Sequence, residues 1–287
     1  MKLPVLLLSL VLIASGAYAQ KKKAPPSMKS KGTPQEKFLN KQFWLGFKAG
    51  VNLTSPVVDA RYSVITPNNY SLSQTEKKYQ SFNKIGSQAT LEVTFYYKGI
   101  SISAQPTYRS SSFTYTNEYT WNDAETAGLN LKFDQEQQLD YADLPLLLKY
   151  EFTQNTLRPY LQAGVYYSIL VKATKSVTVS GTDNASGGIN TFENEPVVVG
   201  AKDLFTNSSG LIGGAGLNYN LGNVRLVFDV SYHMGMSNIA NVNNRFSNDR
   251  LSGIGDAQDD LKTNNLVFSL GCLFPLRFLG NSFKSLD

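Results

Sequence analysis

The stretch FWLGFKAGVNL, residues 43–53, decides the fold of this 287-residue chain. Its odd-numbered positions are all apolar, whereas its even-numbered positions hold Trp44, Lys48, Asn52 and glycines. Successive side chains of a β-strand point to opposite faces, so a period of two predicts a strand with one apolar and one more polar face. Lys48 marks the polar face.

Further segments repeat this alternation. They lie at residues 85–97, 100–109, 144–152, 161–172, 211–221, 224–234 and 265–276. No apolar run after residue 20 is long enough for a membrane-spanning helix. The pattern predicts an all-β fold with eight strands in residues 43–278.

The connections between these segments alternate in length. The short ones lie at residues 98–99, 153–158 and 222–223, and the long ones at residues 54–83, 116–138, 174–209 and 237–262. Outer-membrane barrels alternate short periplasmic turns with long external loops. The sequence therefore predicts an antiparallel up-and-down barrel, whose even strand number places both chain ends in the periplasm.

Period two alone does not say which face of the barrel is outside, and a lipocalin-like soluble barrel is the alternative. The apolar faces are continuous enough for a lipid-facing belt about 25 Å tall. Aromatic residues recur on them beside the short turns, as at Tyr97 and Tyr150. The polar faces are rich in glycine, which suits a crowded interior. We therefore predict an eight-stranded transmembrane β-barrel of the bacterial outer membrane, with a polar, filled interior.

Charged side chains on the polar faces form the candidate site. An eight-stranded barrel is just wide enough to be filled by its own side chains. Because an unpaired buried charge is costly, we expect a paired polar network in the lumen rather than an ion or solute path. Its predicted members are Lys48, Glu92, Arg109, Lys149, Glu151, Arg225, Asp229 and His233.

Catalytic and metal chemistry have few candidates, because the chain has one His and one Cys. Ser231 and Asp229 share a face with His233, but residues i and i+2 of a strand lie about 6–7 Å apart, too far for a direct Ser–His bond without help. We predict a structural histidine, no enzyme activity and no cofactor. The loop aspartates fit no EF-hand spacing, and a solvated loop is expected. They are Asp249, Asp256, Asp259 and Asp260.

The chain ends differ in composition from the barrel. Residues 1–19 have a basic start, an apolar run and an A-x-A site, which predicts a secretory signal peptide. Residues 20–42 form a basic, proline-containing tail, interpreted as a solvated periplasmic linker that could touch anionic lipid, peptidoglycan or a protein. Residues 279–287 form a C-terminal tail. The near-neutral remainder predicts no nucleic-acid partner.

One segment breaks the alternation. Leu139 and Tyr141 are odd-numbered, whereas the apolar set that starts at Leu144 is even-numbered. The apparent change of phase, followed by Pro145, predicts a β-bulge and disrupted strand pairing at residues 142–145.

Three motifs resemble those of the PorT-like outer-membrane β-barrel family. They are KAGVN at 48–52, LPLLLKY at 144–150 and RPYLQAG at 158–164. The resemblance extends over 43–278 and implies an outer-membrane location. The family's namesake is tied to protein secretion across the outer membrane, but no residue here carries that role.

The preferred function is a structural or interaction protein, a monomeric barrel in outer-membrane lipid that takes part in a larger envelope or secretion assembly. Its loops contain residues common on binding surfaces: Tyr62, Asn68, Asn69, Tyr70, Tyr79, Tyr115, Tyr119 and Trp121. A narrow porin or transporter is the alternative, and a lipid-modifying enzyme is third.

Overall fold

The computed structural model describes residues 41–62, 76–122, 128–184, 188–221, 224–245 and 257–276, all within the compact unit Leu39–Asp287. These residues form twelve strands: β1 (Lys41–Ala60), β2 (Lys78–Gln80), β3 (Ile85–Tyr97), β4 (Ile100–Ala104), β5 (Thr107–Asn122), β6 (Gly128–Glu151), β7 (Leu157–Asp183), β8 (Asn190–Glu193), β9 (Val197–Gly200), β10 (Ser208–Leu221), β11 (Val224–Gly235) and β12 (Asp260–Pro275). Short 3₁₀ helices lie at Lys202–Leu204 and Val242–Asn244. Within the described ranges, no helix is both long and apolar enough to cross a membrane.

The strands close into a ring in which every pairing is antiparallel. The order is β1, β3, β4 with β5, β6, β7, β10, β11 and β12, and β12 pairs again with β1. Strands β4 and β5 together fill one position of the ring, one after the other. Both of them pair with β3 on one side and with β6 on the other. The ring therefore has eight positions, as predicted.

The barrel has an apolar outside and a polar inside. On β1, Phe47 is 57% exposed, whereas the next residue, Lys48, is 3% exposed. The same alternation holds around the ring, so aliphatic side chains form an outer belt. A barrel surrounded by water would expose its charged face instead, so this distribution is that of a transmembrane barrel.

The short turn at Lys98–Gly99 defines one end of the barrel, called here the turn end. Both residues have positive φ, 48° and 93°, as a two-residue type I′ hairpin requires. The residues between β6 and β7 form another short connection at the same end. The predicted turn at 222–223 lies outside the described residues. The opposite end is called the loop end.

At the loop end, the strands are longer than the sequence pattern predicted. β5 continues to Asn122, β6 begins at Gly128 and β7 continues to Asp183, all inside segments that were predicted as loops. Above the belt the outer face meets no lipid, so the apolar alternation stops while strand pairing continues. We call this extension, joined by β2, β8 and β9, the upper sheet.

The prediction of disrupted pairing at residues 142–145 was wrong along β7. Pairing between β6 and β7 is regular there, and the register shift lies at Asp140/Tyr141, opposite the extra residue Val171 of β7. Leu139 and Tyr141 are buried and keep the inward phase, because the interior becomes apolar above the belt. The hydrophobic pattern changes without the chain changing faces.

The other side of β6 does show an interruption. β4 ends and β5 begins on either side of Gln105 and Pro106, opposite Pro145. The Gln105 amide donates to the Pro145 carbonyl at 3.1 Å, and the Leu91 amide donates to the Pro106 carbonyl at 2.9 Å. The two prolines, which lack an N–H, thus lie where the ladder is already broken.

Candidate functional site

The candidate site is the filled lumen, and its first layer closes the turn end. It consists of buried aromatic and aliphatic side chains: Trp44, Tyr96, Tyr160, Val227 and Leu273. The Arg225 guanidinium lies 4.2 Å from the centroid of the Trp44 ring. Glu151 accepts from Arg225 at 3.0 Å and from Arg158 at 3.1 Å. This layer is therefore both packed and charge-paired.

The second layer, the ion network, lies above it. The Glu92 carboxylate is fully buried and binds Lys149 at 2.6 Å and Lys48 at 3.0 Å. Lys48 also binds Asp229 at 3.0 Å, and Gln105 donates to Glu92 at 3.1 Å. Each of these charged groups faces an opposite charge, so the network keeps buried ions compensated.

Arg109 forms a separate pair nearer the loop end. Its guanidinium binds both oxygens of the Asp143 carboxylate, at 2.6 and 3.3 Å, and lies 5.3 Å from the centroid of Tyr141. Asp143 was absent from the predicted network because the apparent change of phase hid its inward direction. The continuous odd-numbered spacing from Leu139 to Leu147 was the available signal.

The expectation that Ser231 lies too far from His233 for a hydrogen bond was wrong. The Ser231 hydroxyl lies 3.1 Å from His233 Nε2, although the two residues are two positions apart on β11. The His233 Nδ1 atom is buried without a hydrogen-bond partner. The Asp229 carboxylate is engaged by Lys48 and by the Tyr160 hydroxyl at 3.3 Å. The third contact of a catalytic triad is therefore not formed.

A small cavity in the lumen lies against Lys48, Asp143 and His233. It has a volume of about 20 Å³ and is lined by polar side chains, including His233, Gln88 and Gln162. The side-chain oxygens of both glutamines are buried without protein partners, as is His233 Nδ1. A water needs about 10–15 Å³ of such space, so the cavity fits one water and no larger solute.

The third layer, the loop-end cap, is apolar. It joins residues of β5, β6, β7 and β12 to the connections after β9 and β11: Phe113, Tyr115, Leu139, Tyr141, Leu170, Ala173, Ala201, Leu204, Phe205, Ile239 and Leu261. Backbone bonds hold those connections in the mouth, from Thr206 to Ile239 and from Ile239 to Leu261, both at 2.8 Å. The sequence pattern did not predict this cap, because it places both connections in long external loops.

The predicted loop residues have varied environments. Tyr115 is buried in the cap and Tyr79 packs against it, so neither forms an open binding surface. Tyr62 stacks on the Arg245 guanidinium, 3.4 Å from the ring centroid. Trp121 has no described side chain, and Asn68, Asn69 and Tyr70 lie outside the described residues.

The loop aspartates that the structure describes have protein partners. Asp259 binds Lys77 at 3.1 Å and Tyr79 at 3.0 Å, and Asp260 binds Arg245 at 2.6 Å. Asp249 and Asp256 lie outside the described residues. In the parts of the chain with described structure, no three or more His, Cys, Asp or Glu residues are grouped as metal ligands would be.

An inverted eight-position barrel with a filled polar lumen defines the class of small outer-membrane β-barrel proteins. Residues 18–241 match the model of the outer membrane protein beta-barrel domain family, and the chain belongs to that family. A search of curated proteins finds no match.

Solved structures of outer-membrane proteins are similar to this chain at low identity. Neisserial surface protein A is 14% identical, with 81% of this chain and 96% of that chain covered and a TM-score of 0.31. Ail of Yersinia pestis is 11% identical, with coverage of 81% and 99% and a TM-score of 0.30. AlkL is 14% identical, with coverage of 92% and 100% and a TM-score of 0.37.

Proposed function

We propose that this protein is a closed outer-membrane barrel with a structural or interaction role, which displays the upper sheet to a partner. The three-layered lumen supports this role most directly. A solute would have to pass the loop-end cap, the ion network and the turn-end layer in turn. Breaking the Lys48–Glu92–Lys149 contacts would leave charges buried without partners, at a cost of several kcal/mol.

The proposed orientation places the loop end outside the cell and both chain ends in the periplasm. An even number of strands supports this arrangement. Residues 1–19 then act as the signal peptide that directs export, and the basic tail at 20–42 extends into the periplasm, where it can reach a partner. Membership of the PorT-like group, and of a larger envelope or secretion assembly, fits this arrangement.

Conductance tests the closed lumen. We expect the refolded full-length protein to give no large, stable current steps in planar lipid bilayers, while a porin reconstituted in parallel gives them. Reproducible large steps from the purified protein would contradict the proposal and favour a narrow porin or transporter.

The enzyme alternative has one observation in its favour, the contact between Ser231 and His233. Both side chains are buried, so a lipid substrate has no described route to them. We propose that His233 is structural. Lipid A from cells that carry His233→Ala should therefore be the same as lipid A from wild-type cells, and a change in its acylation would identify an enzyme.

A further inference from the structure

The outer face of the upper sheet contains a groove that the closed lumen does not explain. Its volume is about 550 Å³, and it is largely open to solvent. Strands β5, β6, β7 and β8 form it, and polar side chains line it. They include Glu118, Asn130, Lys132, Ser180, Thr182 and Glu193.

Strand pairing arranges these side chains in two rows. In the first row, Glu118 pairs with Lys132, Lys132 with Ser180, and Ser180 with Glu193. In the second row, Asn130 pairs with Thr182, and Thr182 pairs with Thr191 of β8. Because every one of these positions belongs to a paired strand, the groove is formed before any ligand binds.

The chemistry of the groove suits a hydroxyl-rich ligand. Serine and threonine hydroxyls and the Asn130 amide can each donate and accept hydrogen bonds. Glu118 and Glu193 lie at the two ends of the first row. The two oxygens of a carboxylate can accept hydrogen bonds from two neighbouring hydroxyls. Phe192 is the one large apolar side chain among the lining residues, so the groove offers little surface for an acyl chain or an apolar peptide.

The charge of the groove disfavours an anion. Glu118, Asp134 and Glu193 carry negative charge, while Lys132 and Lys78 carry positive charge. Lys132 is held at 2.8 Å by Asp134, and Lys78 lies 3.7 Å from Glu118. The hydrogen bond to Asp134, with the nearby charges of Glu118 and Glu193, raises the pKa of Lys132 above its ordinary value. These five charges sum to minus one, and each of the two ammonium groups already has a carboxylate partner.

The position of the groove indicates where its ligand comes from. Its side chains share the outward phase of the strands that face lipid lower in the barrel, so the groove faces sideways, parallel to the membrane. On β6, Lys132 lies twelve residues above Leu144 of the belt, which is about 40 Å along the strand. With the usual tilt of about 40°, the groove lies about 30 Å above the level of Leu144.

We propose that this groove binds the uncharged sugar chain of a glycolipid anchored in the same leaflet. A sugar chain anchored in the same leaflet rises beside the flank of the upper sheet, which is the side on which the groove opens. The inference rests on the proposed orientation, with the loop end outside the cell. It also names the partner class for the interaction role.

Binding of a lipid-free sugar chain tests the proposal. The probe is an uncharged fragment of the glycolipid sugar chain of the source cells, made by partial acid hydrolysis and separated from the acidic core sugars by anion exchange. It is titrated calorimetrically into the full-length protein in detergent. Thr182→Trp fills the groove and should weaken binding about tenfold or more. Ser176→Trp is the matched control, because it lies on the same face of β7 below the groove, and should leave binding unchanged.

A second variant is needed in case Thr182→Trp does not fold. Glu193→Gln keeps the shape of an exposed side chain and should weaken binding about threefold to tenfold through loss of a charge-assisted hydrogen bond. Equal binding by wild type, Thr182→Trp and Glu193→Gln would overturn the proposal. So would absence of binding to wild type, or preferential binding of a sulfated oligosaccharide. A conducting lumen would contradict only the closed-barrel function, and these outcomes are therefore distinguishable.

Discussion

Glu92 holds the ion network together at the scale of single residues. It is fully buried and contacts the ammonium groups of both Lys48 and Lys149. Thr94 and Gln105 also donate to its carboxylate. Loss of its charge would leave two buried cations with only Asp229 nearby, so Glu92 should dominate the stability of the lumen.

Glu92→Gln should lower the free energy of unfolding by about 3–5 kcal/mol, because removing one partner leaves buried charge uncompensated. The measurement is equilibrium unfolding by denaturant in lipid vesicles. Glu118→Gln is the control, since that carboxylate is 49% exposed and should change stability by about 0.5 kcal/mol or less. Equal stability of the two variants would show that the buried network is not a major source of stability.

The glycines of β10 show how tightly the lumen is filled. At Gly216 a Cβ atom would strike the Tyr160 ring and come within 2.7 Å of the Phe228 carbonyl oxygen. At Gly213, on the lipid-facing side of the same strand, a Cβ atom would meet nothing within 4 Å. The glycine on the polar face is therefore a packing requirement.

Gly216→Val should destabilise the barrel by about 1–3 kcal/mol through overpacking. Gly213→Ala, the control on the opposite face, should have little effect. Folding yield in vesicles and the denaturation midpoint measure both. If both substitutions were equally tolerated, the turn-end layer would have to be looser than its contacts indicate.

At the scale of elements, the connection after β11 is held against β12 by Asp260. This carboxylate accepts from Arg245 and from Asn238, both at 2.6 Å, and from the Tyr62 hydroxyl at 3.1 Å. Partial burial would raise the pKa of Asp260, but these hydrogen bonds outweigh it and lower the pKa below its ordinary value. Asp260 lies above the belt, where it can titrate with the medium.

Because the folded-state pKa is the lower one, the stabilisation from Asp260 is complete above the unfolded-state pKa of about 3.9. It is lost as pH falls through the folded-state value. Amide hydrogen exchange of residues 238–241, corrected for intrinsic rates, should show faster opening near pH 3 than near pH 6. In Asp260→Asn this opening should not depend on pH in that range. If opening in the wild type did not depend on pH, the contacts of Asp260 would not be what holds residues 238–241 in place.

At the scale of the whole molecule, the upper sheet and the barrel are one continuous wall. β6 and β7 run from the turn end, past the belt and into the upper sheet. A partner that binds the upper sheet therefore contacts an element anchored directly in the membrane, which suits an interaction protein with a closed lumen.

Orientation can be tested by labelling in intact cells. With Cys272 replaced by Ser, Asn190→Cys on β8 should react with a membrane-impermeant maleimide, and Asn155→Cys at the turn end should not. Both cysteines should react after the outer membrane is permeabilised, which controls for accessibility. The reverse pattern would place the upper sheet in the periplasm and contradict both the proposed function and the glycolipid proposal.

Local sequence alone was sufficient to predict the membrane-spanning ring. Alternation at residues such as Phe47 and Lys48, repeated in each segment, predicted the eight positions of the ring and their inverted faces, because a strand's side-chain period depends only on backbone geometry. It failed where the environment changes along a strand. Leu139 and Tyr141 keep their phase while the interior turns from polar to apolar, which periodicity cannot distinguish from a bulge.

Tertiary structure decided the rest. Residues far apart in the chain, such as Lys48, Glu92, Lys149 and Asp229, meet because barrel closure sets the register of every strand against the next. The loop-end cap and the outer groove depend in the same way on which strands become neighbours. A sequence determines which face each side chain takes, but three-dimensional pairing determines what that side chain touches.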